Sequence, residues 1–322
     1  MSERGHKEKR FDGPVDLVYL WVDGSDAEWR KRRAEHSKET YSDIGMDNEA
    51  RYADNGELKY SLRSADLFAP WIRRIFIVTD NQQPEWLDTS NEKIRLIDHK
   101  EILPPEALPT FNSNVIEHAL FRIPDLSEHF IYANDDMFFN RKVEKSDFFT
   151  PAGLPIVRLN RRPFRKLWLK VLEKGLKKPT SSYNLAIQRS ALLVEKAYGR
   201  YIGHKTHHNI DAYRKSDYRH AYDVFKEEIE PTLLNHTRAD NDIQRNIYSF
   251  VPIVEKKAKV KFVTQKTSFR CHIEKPYYFD RLKKYDPLLF CLNDSQYADH
   301  NCRKIMKEFL ENKFPQKSSF EK

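Results

Sequence analysis

Four short apolar runs, each ending in an acidic residue, constrain the fold of this chain more than any other feature. They are VDLVYLWVD (15–23), IFIVTD (75–80), IRLID (94–98) and HFIYANDD (129–136). Nearly continuous Val, Ile, Leu and Phe without polar alternation is typical of strands that are covered on both faces. The stretches at 57–71 and 109–126 carry apolar residues at helical spacing, and Ser113 or Asn114 is expected to cap the second helix. The order strand, helix, strand predicts an α/β fold with a mostly parallel sheet.

The composition is that of a globular protein with a sizeable core. Of the 322 residues, 39% are hydrophobic and 13% aromatic, and the formal net charge is +8, which argues against a disordered chain. The three cysteines, Cys271, Cys291 and Cys302, form no CxxC pair and leave one over, so neither a disulfide framework nor a zinc ribbon is expected. The polar opening MSERGHKEKR and the lack of any run of about 18 apolar residues predict a cytoplasmic protein that is attached to a membrane at most peripherally.

Acidic residues at the strand ends are the first pointer to a site. In parallel sheets, ligands bind beyond the carboxyl ends of the strands, where Asp23, Asp80, Asp98, Asp135 and Asp136 are expected. Any one of these acids has a turn or helix cap as its ordinary alternative. Two adjacent carboxylates raise each other's pKa unless a cation lies between them, and a hard divalent cation removes the repulsion. The pair Asp135-Asp136 resembles the acidic motif with which nucleotide-sugar transferases hold Mg²⁺ or Mn²⁺ on a diphosphate.

Longer blocks of the sequence resemble the conserved regions of the Stealth family. The blocks are DLVYLWVDGSD (16–26), RYADNGELKYSLRSADLFAPWIRRIFIVTDNQQPEWL (51–87), IRLIDHKEILP (94–104), LPTFNSNVIE (108–117), FIYANDDMFF (130–139), CLNDSQ (291–296) and FPQKSSFE (314–321). Stealth proteins are bacterial capsular and cell-surface polysaccharide phosphotransferases, related to the eukaryotic enzyme that tags lysosomal enzymes with N-acetylglucosamine-1-phosphate. The resemblance runs from about residue 14 to the C-terminus and is thinnest over 140–285.

The resemblance implies a reaction and a fold. A hexose-1-phosphate moves from a UDP-sugar to a hydroxyl of a capsular or cell-surface glycan, forming a phosphodiester and releasing UMP. The resemblance favours N-acetylhexosamine-1-phosphate as the group transferred. The implied fold is a mostly parallel sheet of the nucleotide-sugar transferase (GT-A or Rossmann-like) type. We expect a flexible N-terminus at 1–13 and a single catalytic domain at 14–322. Within that domain, 14–139 is the α/β core, 140–260 a mainly helical insertion for the acceptor, and 261–322 a segment that completes the site.

The resemblance also implies roles for particular residues. The chemistry calls for arginines around the phosphoryl oxygens, a base for the incoming hydroxyl and a cation on the diphosphate. The implied catalytic residues are Asp16, Arg63, His208 and Arg238. The implied substrate-binding residues are Trp21, Gly24, Asp80, Asn81, Asn112 and Asn134. The implied ligands of Mg²⁺ or Mn²⁺ are Asp135, Asp136 and Asp294.

Three histidines within GHKTHHNIDAYRK (203–215) compete for the role of base. His208 best matches the register of the family pattern, in which an apolar residue and a helix follow the histidine. The usual proline before that histidine is missing, so His204 remains open, and His207 is the third alternative. A zinc cluster is not favoured, because no further Cys or His stands at zinc-finger spacing.

Charge suggests partners beyond the sugar donor. Residues 158–179 hold nine Lys or Arg, and their apolar residues are spaced for one helix face. Such a helix can lie on an anionic membrane, which suits a lipid-linked acceptor glycan, or it can cover the domain as a lid. A nucleic-acid or polyanion binder is the least favoured function, since it gives no reason for acids at successive strand ends. A metal-dependent glycosyltransferase that releases UDP is the main alternative.

Overall fold

The computed structural model of the protein describes residues 10–36, 52, 54–163 and 182–322. Residues 1–9 of the predicted N-terminal segment lie outside them, as do residues 164–179 of the predicted basic helix. The first part of that helix prediction is wrong, because residues 158–163 belong to a β-strand. They pair with two other strands instead of winding into a helix.

Eleven strands are present in the described part of the chain. They are β1 (Val15–Leu20), β2 (Ile75–Thr79), β3 (Ile94–Asp98), β4 (His129–Asn134), β5 (Met137–Phe139), β6 (Ile156–Pro163), β7 (His204–Thr206), β8 (Asp211–Arg214), β9 (Lys259–Phe262), β10 (Ser268–His272) and β11 (Leu289–Asn293). The main sheet has the order β3-β2-β1-β4-β8. Its first four strands are parallel and β8 runs antiparallel to β4. The predicted α/β fold with a mostly parallel sheet is therefore confirmed.

Eleven α-helices accompany these strands in the described residues. They are α1 (Ala27–His36), α2 (Glu57–Phe68), α3 (His99–Ile102), α4 (Ser113–Glu117), α5 (Lys145–Phe148), α6 (Ser182–Tyr198), α7 (Lys215–Val224), α8 (Lys226–Leu233), α9 (Ile247–Val254), α10 (Tyr277–Tyr285) and α11 (His300–Lys313). The cap of α4 is Asn112, whose side chain accepts a hydrogen bond from the backbone N–H of Asn114. The prediction of Ser113 or Asn114 as the cap is thus wrong by a residue. No helix in the described ranges has both the length and the apolar character needed to cross a bilayer.

Both faces of the main sheet are covered, as the uninterrupted apolar strands predict. Val18 packs into a core that also contains buried side chains of α4, α6, α7 and α9. Leu17 and Tyr19, which point to the other face, pack with α2. The strands therefore end at one shared edge between two layers of helices, and their carboxyl ends meet there.

Two smaller sheets flank the main one. In the first, β11 pairs with β10 in parallel and with β5 in antiparallel orientation; in the second, β6 lies between β7 and β9. The turn at Asp135 and Asp136 joins β4 of the main sheet to β5. The two acids therefore stand between buried strands because the chain changes sheets at that point. Strand β8 comes from the predicted helical insertion, so that stretch also contributes to the main sheet.

Candidate active site

A cavity opens at the carboxyl edge of the main sheet, beyond β1, β2 and β4. Its lining includes Trp21, Tyr52, His99, Phe111, Asp135 and Arg238. Aromatic rings thus meet a carboxylate, an imidazole and a guanidinium in one cavity. This mixture suits a ligand that has both a flat ring and negatively charged groups.

The loop after β1 forms one wall of the cavity. The indole N–H of Trp21 donates to Asp54 Oδ2 at 3.3 Å, and the backbone N–H of Gly24 donates to the carbonyl of Tyr52 at 2.9 Å. A Cβ atom on Gly24 would lie 2.0 Å from that carbonyl oxygen. Glycine is therefore required at this position for the loop to approach Tyr52.

Replacing Gly24 with alanine is expected to displace Tyr52 from the cavity wall. A shift of about 1 Å at a ligand wall can cost on the order of 100-fold in rate, so we expect kcat/KM for the sugar donor that the family resemblance implies to fall by about 10- to 100-fold. Steady-state kinetics with varied donor measures this effect. Ser25→Ala, an exposed neighbour in the same loop, is the control and should change the donor KM little. Equal kcat/KM values for Gly24→Ala and Ser25→Ala would contradict the close approach of Gly24 to Tyr52.

Asp135 lies in a group of carboxylates on the side of the site toward α2. Burial raises the pKa of Asp135 well above its ordinary value, and the neighbouring charges of Glu57, Asp136 and Asp54 raise it further. Burial likewise raises the pKa of Glu57 to about 7. When a cation binds, it displaces the protons from carboxylates whose pKa values are raised, and these protons pass to solvent.

Asp136 lies in a different group, formed with Cys291 and His208. The Cys291 thiol donates to Asp136 Oδ2 at 3.2 Å, because β11 pairs with β5 immediately after the turn. One carboxylate oxygen of Asp136, the Cys291 sulfur and one ring nitrogen of His208 all lie within 4.8 Å of one another. Asp136 Oδ1 is buried without a hydrogen-bond partner among the described residues, and burial raises the pKa of Asp136 to about 6.

The antiparallel pairing of β8 with β4 explains how His208 reaches this place. Tyr132 of β4 pairs with Asp211, so the residues just before Asp211 lie beyond the carboxyl end of β4. Burial, followed by the charges of Arg270 and Arg245, lowers the pKa of His208 well below its ordinary value. The ring is therefore neutral near pH 7 and can accept a proton or bind a metal.

The other two histidines of the motif are placed differently. His207 Nδ1 lies 2.9 Å from Ser268 Oγ, and His207 Nε2 lies 3.0 Å from Asp211 Oδ1, so both of its ring nitrogens face partners. His204 Nδ1 lies 3.2 Å from the carbonyl of Asn160, in the small sheet of β6, β7 and β9. Only His208 of the three belongs to the group with Asp136 and Cys291.

Arg238 and Asn134 also line the cavity. Arg238 Nη2 donates to Ser113 Oγ at 2.7 Å. Asn134 Oδ1 lies 2.7 Å from the hydroxyl of Tyr132, which is also 2.9 Å from Glu117 Oε1. Within the described residues, the one hydrogen bond of the Arg238 guanidinium is to the neutral hydroxyl of Ser113, and its charge also acts on the buried Glu117. Other donors of the guanidinium are therefore available to an anionic ligand.

The chain matches two family models and several curated proteins. Residues 13–40 match Stealth protein CR1, conserved region 1, and residues 51–157 match Stealth protein CR2, conserved region 2. Capsular polysaccharide phosphotransferase fcs1 of Haemophilus influenzae is 37% identical over 300 residues, which are 89% of this chain and 80% of that protein. Capsular polysaccharide phosphotransferase LcbA of Aeromonas hydrophila is 35% identical over 94% of this chain and 85% of its own length. The chain belongs to the Stealth family of polysaccharide phosphotransferases.

Two further likenesses accompany these matches. A capsular polysaccharide phosphotransferase of Neisseria meningitidis serogroup B is 33% identical to this Stealth protein over 94% of the chain and 83% of its own length. The solved galactosyltransferase LgtC, in complex with donor and acceptor sugar analogues, aligns with 94% of the chain and 96% of its own at 11% identity and a TM-score of 0.45. Family membership makes the Stealth protein a transferase enzyme, as the sequence motifs predict.

The active-site role predicted for Asp16 is wrong. Asp16 lies near the amino end of β1, at the opposite edge of the sheet from the cavity. Both of its carboxylate oxygens bind Arg73, at 2.9 and 2.6 Å, and they also accept the backbone N–H groups of Arg74 and Ser127. These partners explain why Asp16 is buried within a strand. Their hydrogen bonds hold the loops that carry Arg73 and Ser127 against the amino edge of the sheet.

The phosphoryl-binding role predicted for Arg63 is also wrong. Arg63 makes a forked pair with Glu321, at 2.8 and 2.7 Å, and donates to the carbonyl of Phe314 at 2.7 Å. The side chains are 10% and 1% exposed, so the guanidinium is buried in contacts with the C-terminal segment. The arginine of this conserved block joins that segment to α2 and does not reach the cavity.

Replacing Arg63 with alanine is accordingly expected to lower stability. Breaking one partner of a buried pair costs about 3–5 kcal/mol, and urea unfolding followed by circular dichroism measures the loss. Arg63→Lys keeps the charge but not the fork, so we expect an intermediate value. An unchanged free energy of unfolding together with lost transfer would instead return Arg63 to a phosphate-binding role.

Asn112 is buried between the start of α4 and the loop that carries Arg238. It is fully buried, and its amide group donates to Asp242 Oδ2 at 2.9 Å and to the carbonyls of Asn235 and Thr237. These contacts hold the loop that carries Arg238 against the start of α4. The prediction of substrate contact by Asn112 is therefore wrong, whereas its neighbours Phe111 and Ser113 do line the cavity.

The remaining predicted residues stand at the carboxyl edge with different partners. Asp80 accepts from Arg32 at 2.8 Å, and Asn81 follows it with a left-handed φ of 55°. Asp98 caps α3. Asp294 binds Arg303 through both oxygens, at 2.8 and 3.2 Å, so the structure does not bring it into the group of Asp136, His208 and Cys291.

Sequence reasoning missed several residues of the site. His99 lines the cavity, and its buried Nδ1 lacks a hydrogen bond within the described part of the chain. Glu57 and Cys291 stand beside the two aspartates. Arg270 faces Asp136 and His208 closely enough to perturb both pKa values. His99, Glu57 and Cys291 fall inside the quoted family blocks, which was the available signal; Arg270 falls outside them and gave none.

The residues present fit a divalent cation at the turn of Asp135 and Asp136. Oδ1 of Asp136 is buried without a hydrogen-bond partner among the described residues, and the pKa values of both aspartates are raised although Arg270 is near Asp136. A cation bound through carboxylate oxygens would relieve the repulsion between the two carboxylates. Asp136 is the principal candidate ligand, and Asp135 is the next.

The affinity of the turn at Asp135 and Asp136 for a divalent cation is expected to rise with pH. The pKa is about 6 for Asp136 and about 7 for Glu57, so below these values protons compete with the ion, and above them the carboxylates are free. The stabilisation by Mg²⁺, measured as the difference in Tm between Mg²⁺ and EDTA, should therefore grow from about pH 5.5 to about pH 8. Asp136→Asn should flatten this dependence. A difference that shrinks as pH rises would contradict the assignment.

Proposed function

We propose that the chain transfers a hexose-1-phosphate, by preference N-acetylhexosamine-1-phosphate, from a UDP-sugar to a hydroxyl of a capsular or cell-surface glycan, releasing UMP. One observation carries the proposal: His208 lies beside Asp136, whose Oδ1 has no hydrogen-bond partner among the described residues, and the adjacent Asp135 lines a cavity that also contains Arg238. A base, a candidate cation ligand and a phosphate-binding cation are the parts that phosphoryl transfer requires.

The cavity accounts for donor binding in this proposal. The uridine ring packs among Trp21, Tyr52 and Phe111, and His99 offers the ring or ribose a polar atom. The diphosphate extends toward Arg238 and Asp135, with Gly24 and Asn134 shaping the two sides. Asp80 and Asn81 lie farther out at the same edge of the sheet, where they are proposed to contact the ribose.

The residues of the turn and of the β7–β8 loop account for the chemistry. Mg²⁺ or Mn²⁺, held by Asp136 and Asp135, would supply positive charge to the donor diphosphate. His208 accepts the proton of the acceptor hydroxyl while the hydroxyl oxygen forms a bond to the sugar-linked phosphorus. The bond from that phosphorus to the bridging oxygen breaks, and UMP leaves with the bond's electrons. Arg238 binds the phosphoryl oxygens during this exchange.

The proposal extends to organisation and location. A single catalytic domain at 14–322 acts on an acceptor that is carried on a lipid, at the inner face of the cell membrane. The positive net charge of +8 supports attraction to anionic donors and membranes. Nucleic acid is not proposed as a partner.

The nucleotide product tests the proposal. The purified protein is incubated with a panel of UDP-sugars, Mg²⁺ or Mn²⁺ and acceptor glycan, and the nucleotides are separated by ion-exchange chromatography. UMP, together with a phosphodiester signal in the ³¹P NMR spectrum of the glycan, is the expected result. UDP with no phosphodiester would overturn the proposal in favour of glycosyl transfer, because the sugar C1–oxygen bond would then have broken.

A further inference from the structure

Three metal-binding side chains of different chemistry converge at the turn after β4. Asp136 offers an oxygen, His208 a nitrogen and Cys291 a sulfur, all within 4.8 Å of one another. The Cys291 sulfur is already 3.2 Å from Asp136 Oδ2. Ligand atoms of a tetrahedral zinc site, at about 2.0–2.3 Å from the ion, are separated by about 3.3–3.8 Å, so only a small contraction would close these three around an ion.

The donor set selects the kind of ion. Mg²⁺ requires oxygen ligands in nearly ideal octahedral geometry and keeps several waters. A thiolate and an imidazole instead favour borderline or soft ions such as Zn²⁺ and Co²⁺. The group of Asp136, His208 and Cys291 therefore prefers ions such as Zn²⁺ and Co²⁺. A site made of the carboxylates of Asp135 and Asp136 alone would lack this preference.

The surroundings of the three side chains support binding of such an ion. Oδ1 of Asp136 is buried and has no hydrogen-bond partner among the residues described, although it carries lone pairs that need one. Asp136 and His208 are half-buried, so solvent reaches the group and an ion can approach it.

We propose that Asp136, His208 and Cys291 form a binding site for a thiophilic divalent cation such as Zn²⁺, and that this ion inhibits transfer. Binding releases the thiol proton of Cys291 to solvent and forms bonds from the ion to sulfur, nitrogen and oxygen. The inhibition, unlike the binding, rests on the proposed function. An ion on His208 takes away the base, and on Asp136 it takes the place of Mg²⁺.

Cobalt absorbance tests the binding without any turnover. Co²⁺ is added to the full chain in the absence of sugar donor, and a thiolate-to-cobalt charge-transfer band in the near ultraviolet is the expected result. Cys291→Ser should abolish the band and weaken Zn²⁺ binding, measured by competition with Co²⁺ or a chromophoric chelator, by at least about 10- to 100-fold. Cys271→Ser is the matched control, since Cys271 is also buried and lies in the neighbouring strand β10 but outside the group. It should keep the band.

His208→Gln and Asp136→Asn provide a second route if Cys291→Ser does not fold. Each retains the thiol and should weaken Zn²⁺ binding to a similar degree. Absence of the band in the wild-type chain, or its persistence in Cys291→Ser, would overturn the site.

Zinc inhibition of UMP release, compared with each variant's own zinc-free rate, tests the consequence. The zinc concentration for half inhibition should rise by at least about tenfold in Cys291→Ser and should not change in Cys271→Ser. Equal inhibition in both variants would overturn the inhibitory role. Release of UDP in place of UMP would overturn the proposed function but not the ion site, because the cobalt titration contains no sugar donor.

Discussion

Asp136→Asn is expected to abolish transfer while leaving the fold intact. The asparagine fills the same volume but lacks the negative charge for a cation, and losing transition-state charge stabilisation of this kind costs about 10²–10³-fold or more in kcat. Initial rates of UMP release at saturating Mg²⁺ measure the effect. Because the pKa of Asp136 is raised to about 6, removal of the charge should leave the metal-free protein at least as stable as the wild type.

Asp98→Asn is the matched control for this variant. It makes the same chemical change at the same edge of the sheet, at the cap of α3, and asparagine caps helices about as well as aspartate. We expect its rate to be near that of the wild type. Turnover by Asp136→Asn at the wild-type rate would remove Asp136 from the mechanism.

His208→Ala is expected to be the second inactive variant. Removal of a general base costs about 10²–10⁴-fold in rate, and the group of Asp136 and Cys291 would lose its only histidine among the described residues. Donor binding should persist, so the loss is expected in kcat more than in the donor KM. Added imidazole should restore part of the rate, which a purely structural role for the ring would not allow.

His204→Ala distinguishes the two histidines that the sequence leaves open. His204 lies in the sheet of β6, β7 and β9, with its ring against Phe262, and we expect near wild-type transfer. If His204→Ala were inactive and His208→Ala active, the base would be His204 and the register of the motif would have been misjudged.

Much of the fold follows from local sequence. Near-continuous apolar runs can be covered only by layers on both faces, so the four parallel strands and α2 were predicted with ends within three residues of those in the structure. Of the stretch predicted at 109–126, only Ser113–Glu117 forms an α-helix. The acids at the strand ends indicated the correct edge, because parallel strands bring their carboxyl ends together. Asp98 shows the limit of that reasoning: it stands at the right edge but serves as a helix cap.

The errors share a physical cause, since the partners of the residues concerned are distant in the sequence. Arg63 meets Glu321 across 258 positions, and Asp16 meets Arg73 across 57. An arginine or aspartate inside a conserved block is equally consistent with a ligand contact and with a buried pair. Only the folded chain shows that these two charges already have partners.

The sequence by itself determined the layered parallel sheet, the edge that holds the site and the family of the chain, because strand patterning and long motifs are local properties. The tertiary structure alone decided which charged groups remain available. It pairs Asp16, Arg63 and Asp294 with arginine or glutamate, and it brings Cys291 and His208 to Asp136. Such choices depend on strand pairing across large sequence separations, as in β4 with β8 and β5 with β11, which no local pattern encodes.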